Sequence, residues 1–156
     1  MSAGPIVVGW TPDEFGATAL ERALAEARRR GLGVVTVNVG RGDALVDERF
    51  AHLEALDALE AELADSGVEH EVRQAVVPDV PDVAAEILHV ANEVDAALVV
   101  LGLRRRSPVG KLLVGSVAQR VIRDARCPVI AVKPAEGPGD GAGDGTGDGT
   151  GDGVGG

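Results

Sequence analysis

The residues most suited to chemistry are concentrated between Val99 and Gln119. Gly102-Leu103-Arg104-Arg105-Arg106 is followed there by Lys111 and then by Gly115-Ser116-Val117. Residues 104 to 133 carry a net charge of +7, against −12 for residues 1 to 103 and −5 for the remainder. A basic, glycine-bearing segment that runs into a helix start suits an anion, because unpaired amides and the positive end of the helix dipole both favour negative charge. Ser116 and Gln119 have the spacing of a capping box, which makes Ser116 the expected N-cap and the amides of Gly115, Ser116 and Val117 the expected donors. Gly102, directly after Leu101, lets backbone approach closely where a side chain would block it. Capping by itself accounts for Gly115-Ser116, and a solvated basic loop accounts for Arg104 to Arg106. Anion binding uses the same groups, so these readings coexist.

Elsewhere the chemistry is sparse. His52, His70 and His89 lack partners at metal or catalytic spacing and are expected to face solvent. The single cysteine, Cys127, excludes an internal disulfide and a cysteine-cluster zinc site. Lying beside Pro128 before an apolar run, it is expected to be a small buried residue rather than a reactive thiol. No nucleophile is evident, so neither an enzyme nor a metal site is expected. Three aromatics (Trp10, Phe15, Phe50) offer almost no stacking platform for single-stranded nucleic acid, and a net charge of −10 disfavours phosphate-backbone binding. The segment Met1 to Pro5 shows no basic n-region, and no apolar run approaches the ~20 residues of a membrane span. A cytoplasmic protein without nucleic-acid or membrane partners is the expectation.

The elements that must position the basic loop alternate along the chain. Ile6 to Trp10 is a short β-branched run; Thr11-Pro12-Asp13-Glu14 then reads as an N-cap threonine, a proline at the first helical position and an acid three residues after the cap. Ala17, Leu20, Ala23, Leu24 and Ala27 follow at helical spacing, with Arg28 to Arg30 in the last turn and Gly31 to close it. Val34 to Val39 is a second strand. A longer helix should bury Val46, Phe50, Leu53, Leu56, Leu59 and Leu63 on one face and end at Ser66-Gly67. His70 to Val77 is a third strand of edge character, Pro81 opens a third helix, and Ala96 to Leu101 is an uninterrupted apolar strand of the kind buried on both faces. Ser116 opens a fourth helix, and Val129 to Val132 is the last strand. Strict β-α alternation implies an α/β fold: an open five-stranded parallel sheet with helices on both faces, Rossmann-like, with ligands beyond the carboxyl ends of the strands where strand order reverses.

The stretch from Leu98 to Lys133, with a strand ending in Gly102, then Gly115-Ser116-Val117, then Cys127-Pro128-Val129-Ile130, resembles the universal stress protein family, and the likeness extends over residues 5 to 134. The resemblance implies an adenine-nucleotide alpha hydrolase-like sheet, a homodimer paired through the last strand, and a role in stress or dormancy survival. Some members bind ATP and others do not. ATP-binding members are similar in a pattern of Gly, two residues, Gly, nine residues, Gly, then Ser or Thr. On this chain Gly102 and Gly115-Ser116 match, while Arg105 stands at the second glycine. Arg105 loses the glycine's freedom but offers a guanidinium to phosphate. Nucleotide-binding relatives also place an aspartate after the first strand, where this chain has Thr11, with Asp13 two residues on. Val39 corresponds to a residue that meets adenine through its backbone.

These departures lead to the expectation of a non-enzymatic, dimeric stress-response binding or regulatory module with weak or absent ATP binding, whose candidate ligand residues are Thr11, Asp13, Val39, Leu101, Gly102, Arg105, Lys111, Gly115, Ser116 and Val117. The alternative is an ATP-binding member, with Mg, that holds the phosphates in the Gly102 to Ser116 loop with Arg105 and Lys111. A remote third reading is a phosphorelay receiver, suggested by Lys133-Pro134 after the last strand. Residues 1 to 135 form the expected domain. Residues 136 to 156 hold half of the chain's 22 glycines in a four-residue Gly/Asp repeat, which cannot build a core and is expected to be disordered.

Overall fold

The computed structural model describes residues 4–42, 50–103 and 114–134. Its elements follow the expected alternation: β1 (Ile6–Gly9), α1 (Glu14–Arg30), β2 (Val34–Arg41), α2 (Leu53–Ser66), β3 (His70–Val77), α3 (Val80–Glu93), β4 (Leu98–Gly102), α4 (Ser116–Asp124) and β5 (Val129–Val132). All strand pairs are parallel, and the sheet order is β3-β2-β1-β4-β5. The order reverses between β1 and β4, whose ends lie in register, Gly9 opposite both Val37 and Leu101.

Alternation along the central strands sends successive side chains to two separate cores. Ile6, Val8, Val34, Leu98 and Val100 pack with Leu20, Ala23 and Leu24 of α1 and Leu59 and Leu63 of α2. Val7, Val35, Val37, Val39, Val99 and Leu101 pack with Ala84, Ile87 and Val90 of α3 and Ala118 and Val121 of α4. Helices thus cover both faces. Truncating a fully buried residue such as Leu20 to alanine removes about 2–5 kcal/mol.

Several local expectations are corrected. Thr11 is not the cap of α1: Asp13 is, its Oδ1 accepting from the amides of Phe15 and Gly16 at 3.1 Å each and from Thr11 Oγ1 at 2.6 Å. A carboxylate is the stronger acceptor for helix-start amides, and the threonine hydroxyl supports it. Ser116 likewise lies inside α4. Gly115 is the N-cap, without a side-chain cap hydrogen bond, and Gln119 turns back to donate to the Val114 carbonyl at 2.8 Å. In α2, Leu59 and Leu63 are buried but Leu53 is 73% exposed, because the helix begins there and only its later turns meet the sheet. Phe50 precedes the helix and packs over Gly40, and Val46 lies outside the described residues.

The sheet edges are as read. β3 pairs only with β2, and its Arg73 bonds Glu71 at 2.7 Å and Glu93 of α3 at 3.0 Å. β5 closes the other side, all four of its residues partly exposed. The strand order differs from the 2-1-3-4-5 order of receiver-type sheets and leaves the end of β3 at an edge, far from the reversal point, so the receiver reading is set aside.

Candidate functional site

The carboxyl ends of β2, β1 and β4 open into a cavity of about 600 Å³ at the point where strand order reverses. A volume of this size suits a small molecule or cofactor. Val37 and Val39 of β2 and Leu101 of β4 lie below it, Val83 and Ile87 of α3 form one wall, and the first turn of α4 forms another. Thr11, Val39, Leu101, Gly102, Gly115, Ser116 and Val117 therefore come together at one cavity. Asp13 does not line it; its carboxylate is engaged at the start of α1. Arg105 and Lys111 lie outside the described residues.

Two glycines that look alike in the sequence differ in their surroundings. A Cβ on Gly102 would stand 2.4 Å from the Phe15 carbonyl oxygen, so this glycine is required by close packing of β4 against the start of α1. The backbone that it admits belongs to the chain itself. Gly115 has ordinary extended dihedrals (φ −67°, ψ 165°), and among the described residues a Cβ there would meet nothing within 4 Å. Internal packing does not demand this glycine, and its bare backbone faces the cavity beside exposed Ser116. As the N-cap of a nine-residue helix it leaves amides directed past the helix start, where partial positive charge accumulates.

Part of the lining is less legible in the sequence. Trp10, Phe15 and Arg41 also line the cavity, and none is among the candidate ligand residues. Period-two alternation is the signal for Arg41: it follows Val37 and Val39 on the same side of β2. Among the described lining residues Arg41 alone is charged. Trp10 is held by its backbone, its amide donating to the Val37 carbonyl at 2.9 Å and its carbonyl accepting from buried Asn38 Nδ2 at 3.0 Å. The same Asn38 accepts from the amide of Ala51 at 2.8 Å and from Gln74 Nε2 at 2.9 Å, tying the ends of β1, β2 and β3 to the entry of α2.

The remaining candidates for chemistry sit apart. Cys127 is half-buried against the α3–α4 core, and burial pushes its thiol up from the ordinary value, which keeps it protonated. His70 contacts the Val68 carbonyl and Glu60, and His89 lies on α3 beside Glu93. Among the described residues no group of three potential ligands could hold a metal ion, and no helix is long and apolar enough to cross a membrane.

The model of the universal stress protein family matches residues 3–133. The chain belongs to this family. A universal stress protein of Mycolicibacterium smegmatis is 48% identical over 129 residues, covering 83% of this chain and 97% of the relative. The solved structure of a universal stress protein from Archaeoglobus fulgidus is 34% identical with a TM-score of 0.66, covering 85% of this chain and all of the other. A second structure described as the universal stress protein from Archaeoglobus fulgidus, in complex with dAMP, is 30% identical with a TM-score of 0.62 and the same coverage. The family's α/β sheet is therefore the fold of this chain, as its strand order independently indicates.

Proposed function

We propose that this universal stress protein is a non-enzymatic, dimeric binding module that takes a purine mononucleotide in the cavity at the reversal point and holds ATP weakly. The observation that carries the reading is the open first turn of α4, where Gly115 presents bare backbone to a cavity of nucleotide size. The phosphate would take the amides of Gly115, Ser116 and Val117, with the Ser116 hydroxyl and, from the preceding loop, Arg105 and Lys111 as further donors. The apolar surface of Val39, Leu101 and Ile87 suits the flat base. The dAMP complex of the Archaeoglobus fulgidus relative supports a monophosphate ligand.

Weak ATP binding follows from the same residues. The acid that nucleotide-binding relatives place after the first strand is Thr11 here, its hydroxyl donated to Asp13. Asp13 in turn is taken up by the helix start. Arg105 replaces a glycine of the phosphate loop, which reduces the backbone's freedom to wrap a triphosphate. No acid-base pair faces the cavity among the described residues, and binding without turnover is the expected role. The β5 edge, Val129 to Val132, is the proposed homodimer contact, since an unprotected edge strand seeks pairing. A cytoplasmic location completes the reading; the Gly/Asp segment from 136 to 156, expected from its sequence to be disordered, lies outside the described residues.

Calorimetry on the nucleotide-free full chain tests it. AMP should bind, ATP with Mg should bind more weakly, and phosphate should not be released from ATP. Tight ATP binding would instead favour the second reading, in which Arg105 and Lys111 hold the additional phosphates. Light scattering should return twice the 15.9 kDa chain mass.

A further inference from the structure

Asn38 stands on β2 between Val37 and Val39, two residues that line the cavity, so strand alternation turns its side chain to the opposite face of the sheet. It is 1% exposed there, on a face otherwise filled by Val8, Trp10, Val34 and Ala51. An amide is costly to bury unless its donors and acceptors are partnered, and here the partners belong to the ends of two loops. Nδ2 donates to the Trp10 carbonyl at 3.0 Å, while Oδ1 accepts from the Ala51 amide at 2.8 Å and from Gln74 Nε2 at 2.9 Å. The orientation of the side chain is unambiguous, since a carbonyl only accepts and a main-chain amide only donates. Gln74 Nε2 also donates to the Ala51 carbonyl at 2.9 Å. The acceptor end of Asn38 is thus fixed from β3 and the entry of α2, and its donor end is aimed at β1.

The place where Asn38 takes hold is the rim of the cavity. The β1–β2 register ends with Gly9 opposite Val37, and from Trp10 the chain leaves the sheet through Thr11, both residues lining the cavity. Asp13 fixes the far side of this turn by accepting from Thr11 Oγ1, and Asn38 fixes the near side at Trp10. We propose that Asn38 is a positioning residue for the ligand: acting from behind the sheet through Trp10, it holds the main chain of Trp10 and Thr11 in the geometry that a bound mononucleotide requires. The inference rests on the preceding reading of the cavity. A rim that is already fixed loses little freedom when the ligand arrives, which raises affinity without any contact from Asn38 itself. Such coupling is reciprocal. If the bonds of Asn38 favour the bound geometry, the ligand tightens those bonds in turn, as far as the Ala51 amide on the other face of the sheet.

AMP is the probe, titrated by calorimetry and by the fluorescence of the sole tryptophan, Trp10, into nucleotide-free full-length protein well below its thermal midpoint. Asn38→Leu, which keeps the volume without the amide, should weaken AMP about tenfold, the size of one net hydrogen bond. If that variant does not fold, Asn38→Asp replaces it, keeping the acceptors and losing the donor to Trp10. Leu63→Ala, a cavity in the core on the same side of the sheet, lowers stability without touching the network and should leave AMP within twofold. Amide exchange supplies the readout that a purely structural asparagine would not move. Saturation with AMP should slow exchange at Ala51 about tenfold relative to Leu59, deeper in the same region of α2, and the Asn38 variant should lose that difference. AMP affinity within twofold of wild type in the Asn38 variant, an equal loss in Leu63→Ala, or no selective slowing at Ala51 would overturn the assignment while leaving the nucleotide site intact. Failure of AMP to bind the wild-type protein would overturn the site itself, and the assignment with it.

Discussion

Two helices begin beside the cavity, and they begin differently. At α1 the polar groups are satisfied within the chain: Asp13 accepts from two helix-start amides and from Thr11, and Gly16 lets the Thr11 carbonyl fold back over the first turn. At α4, among the described residues, there is no side-chain cap hydrogen bond, and no described atom lies within 4 Å of where a Cβ on Gly115 would stand. Both turns carry a glycine and a hydroxyl within a few residues of the helix start. In one they close the structure, and in the other no described residue takes them up, which is what the proposed anion site requires. Glycine and hydroxyl are thus not themselves the mark of a binding turn; the mark is whether the chain has already used them.

The sharpest way to break this contrast is at Gly16. A Cβ there would stand 1.8 Å from the Thr11 carbonyl oxygen and 2.7 Å from the Thr11 amide nitrogen, both backbone atoms that can yield only by moving the whole turn. Gly16→Ala should therefore cost about 3 kcal/mol or more, read as a drop in the denaturant midpoint. A loss below ~1 kcal/mol, ordinary for an exposed substitution, would show that the α1 turn is looser than its packing implies.

The α4 turn can next be made to resemble α1. Gly115→Asp places a cap where the glycine has none, with nothing among the described residues within 4 Å of its Cβ. Exchange of glycine for aspartate at an N-cap should raise stability by a few tenths of a kcal/mol. The same carboxylate occupies the amides and repels a phosphate, so mononucleotide affinity should fall about tenfold or more. Gly115→Asn, a neutral cap, should lose less. Unchanged affinity in Gly115→Asp would place the phosphate elsewhere in the cavity.

The contrast also explains what could be read from the sequence. The order of elements was legible because each helix carries its own punctuation, such as Gly31 at φ 70° after α1 and Gly67 at φ 73° after α2. The buried centre was legible because Leu98 to Leu101 and Ile6 to Val8 are apolar on both faces of the sheet. The caps were misassigned by one or two residues, since Thr11 and Asp13 are both good caps and only the three-dimensional turn decides between them. Gly102 reads as a ligand approach because a sequence cannot show that Phe15, 87 positions earlier, comes to lie against it. Arg41 is illegible in the sequence for a similar reason: an arginine at a strand end is ordinary until α3 and the β1 loop close a cavity beside it.

Thr11 provides the finest test, because its effect is small and the two readings of it predict opposite patterns. It stands where nucleotide-binding relatives place an aspartate, and it lines the cavity, yet its hydroxyl donates to Asp13 at 2.6 Å. If the hydroxyl serves the α1 turn, Thr11→Val should cost about 0.5–1.5 kcal/mol for the lost hydrogen bond and leave mononucleotide affinity within twofold. If it serves the ligand, affinity should fall severalfold with stability nearly unchanged. Thr11→Ser keeps the donor and should match wild type in both measurements. Since valine preserves the β-branched shape, packing contributes little to either outcome, and the two measurements together show whether the first loop belongs to the structure or to the site.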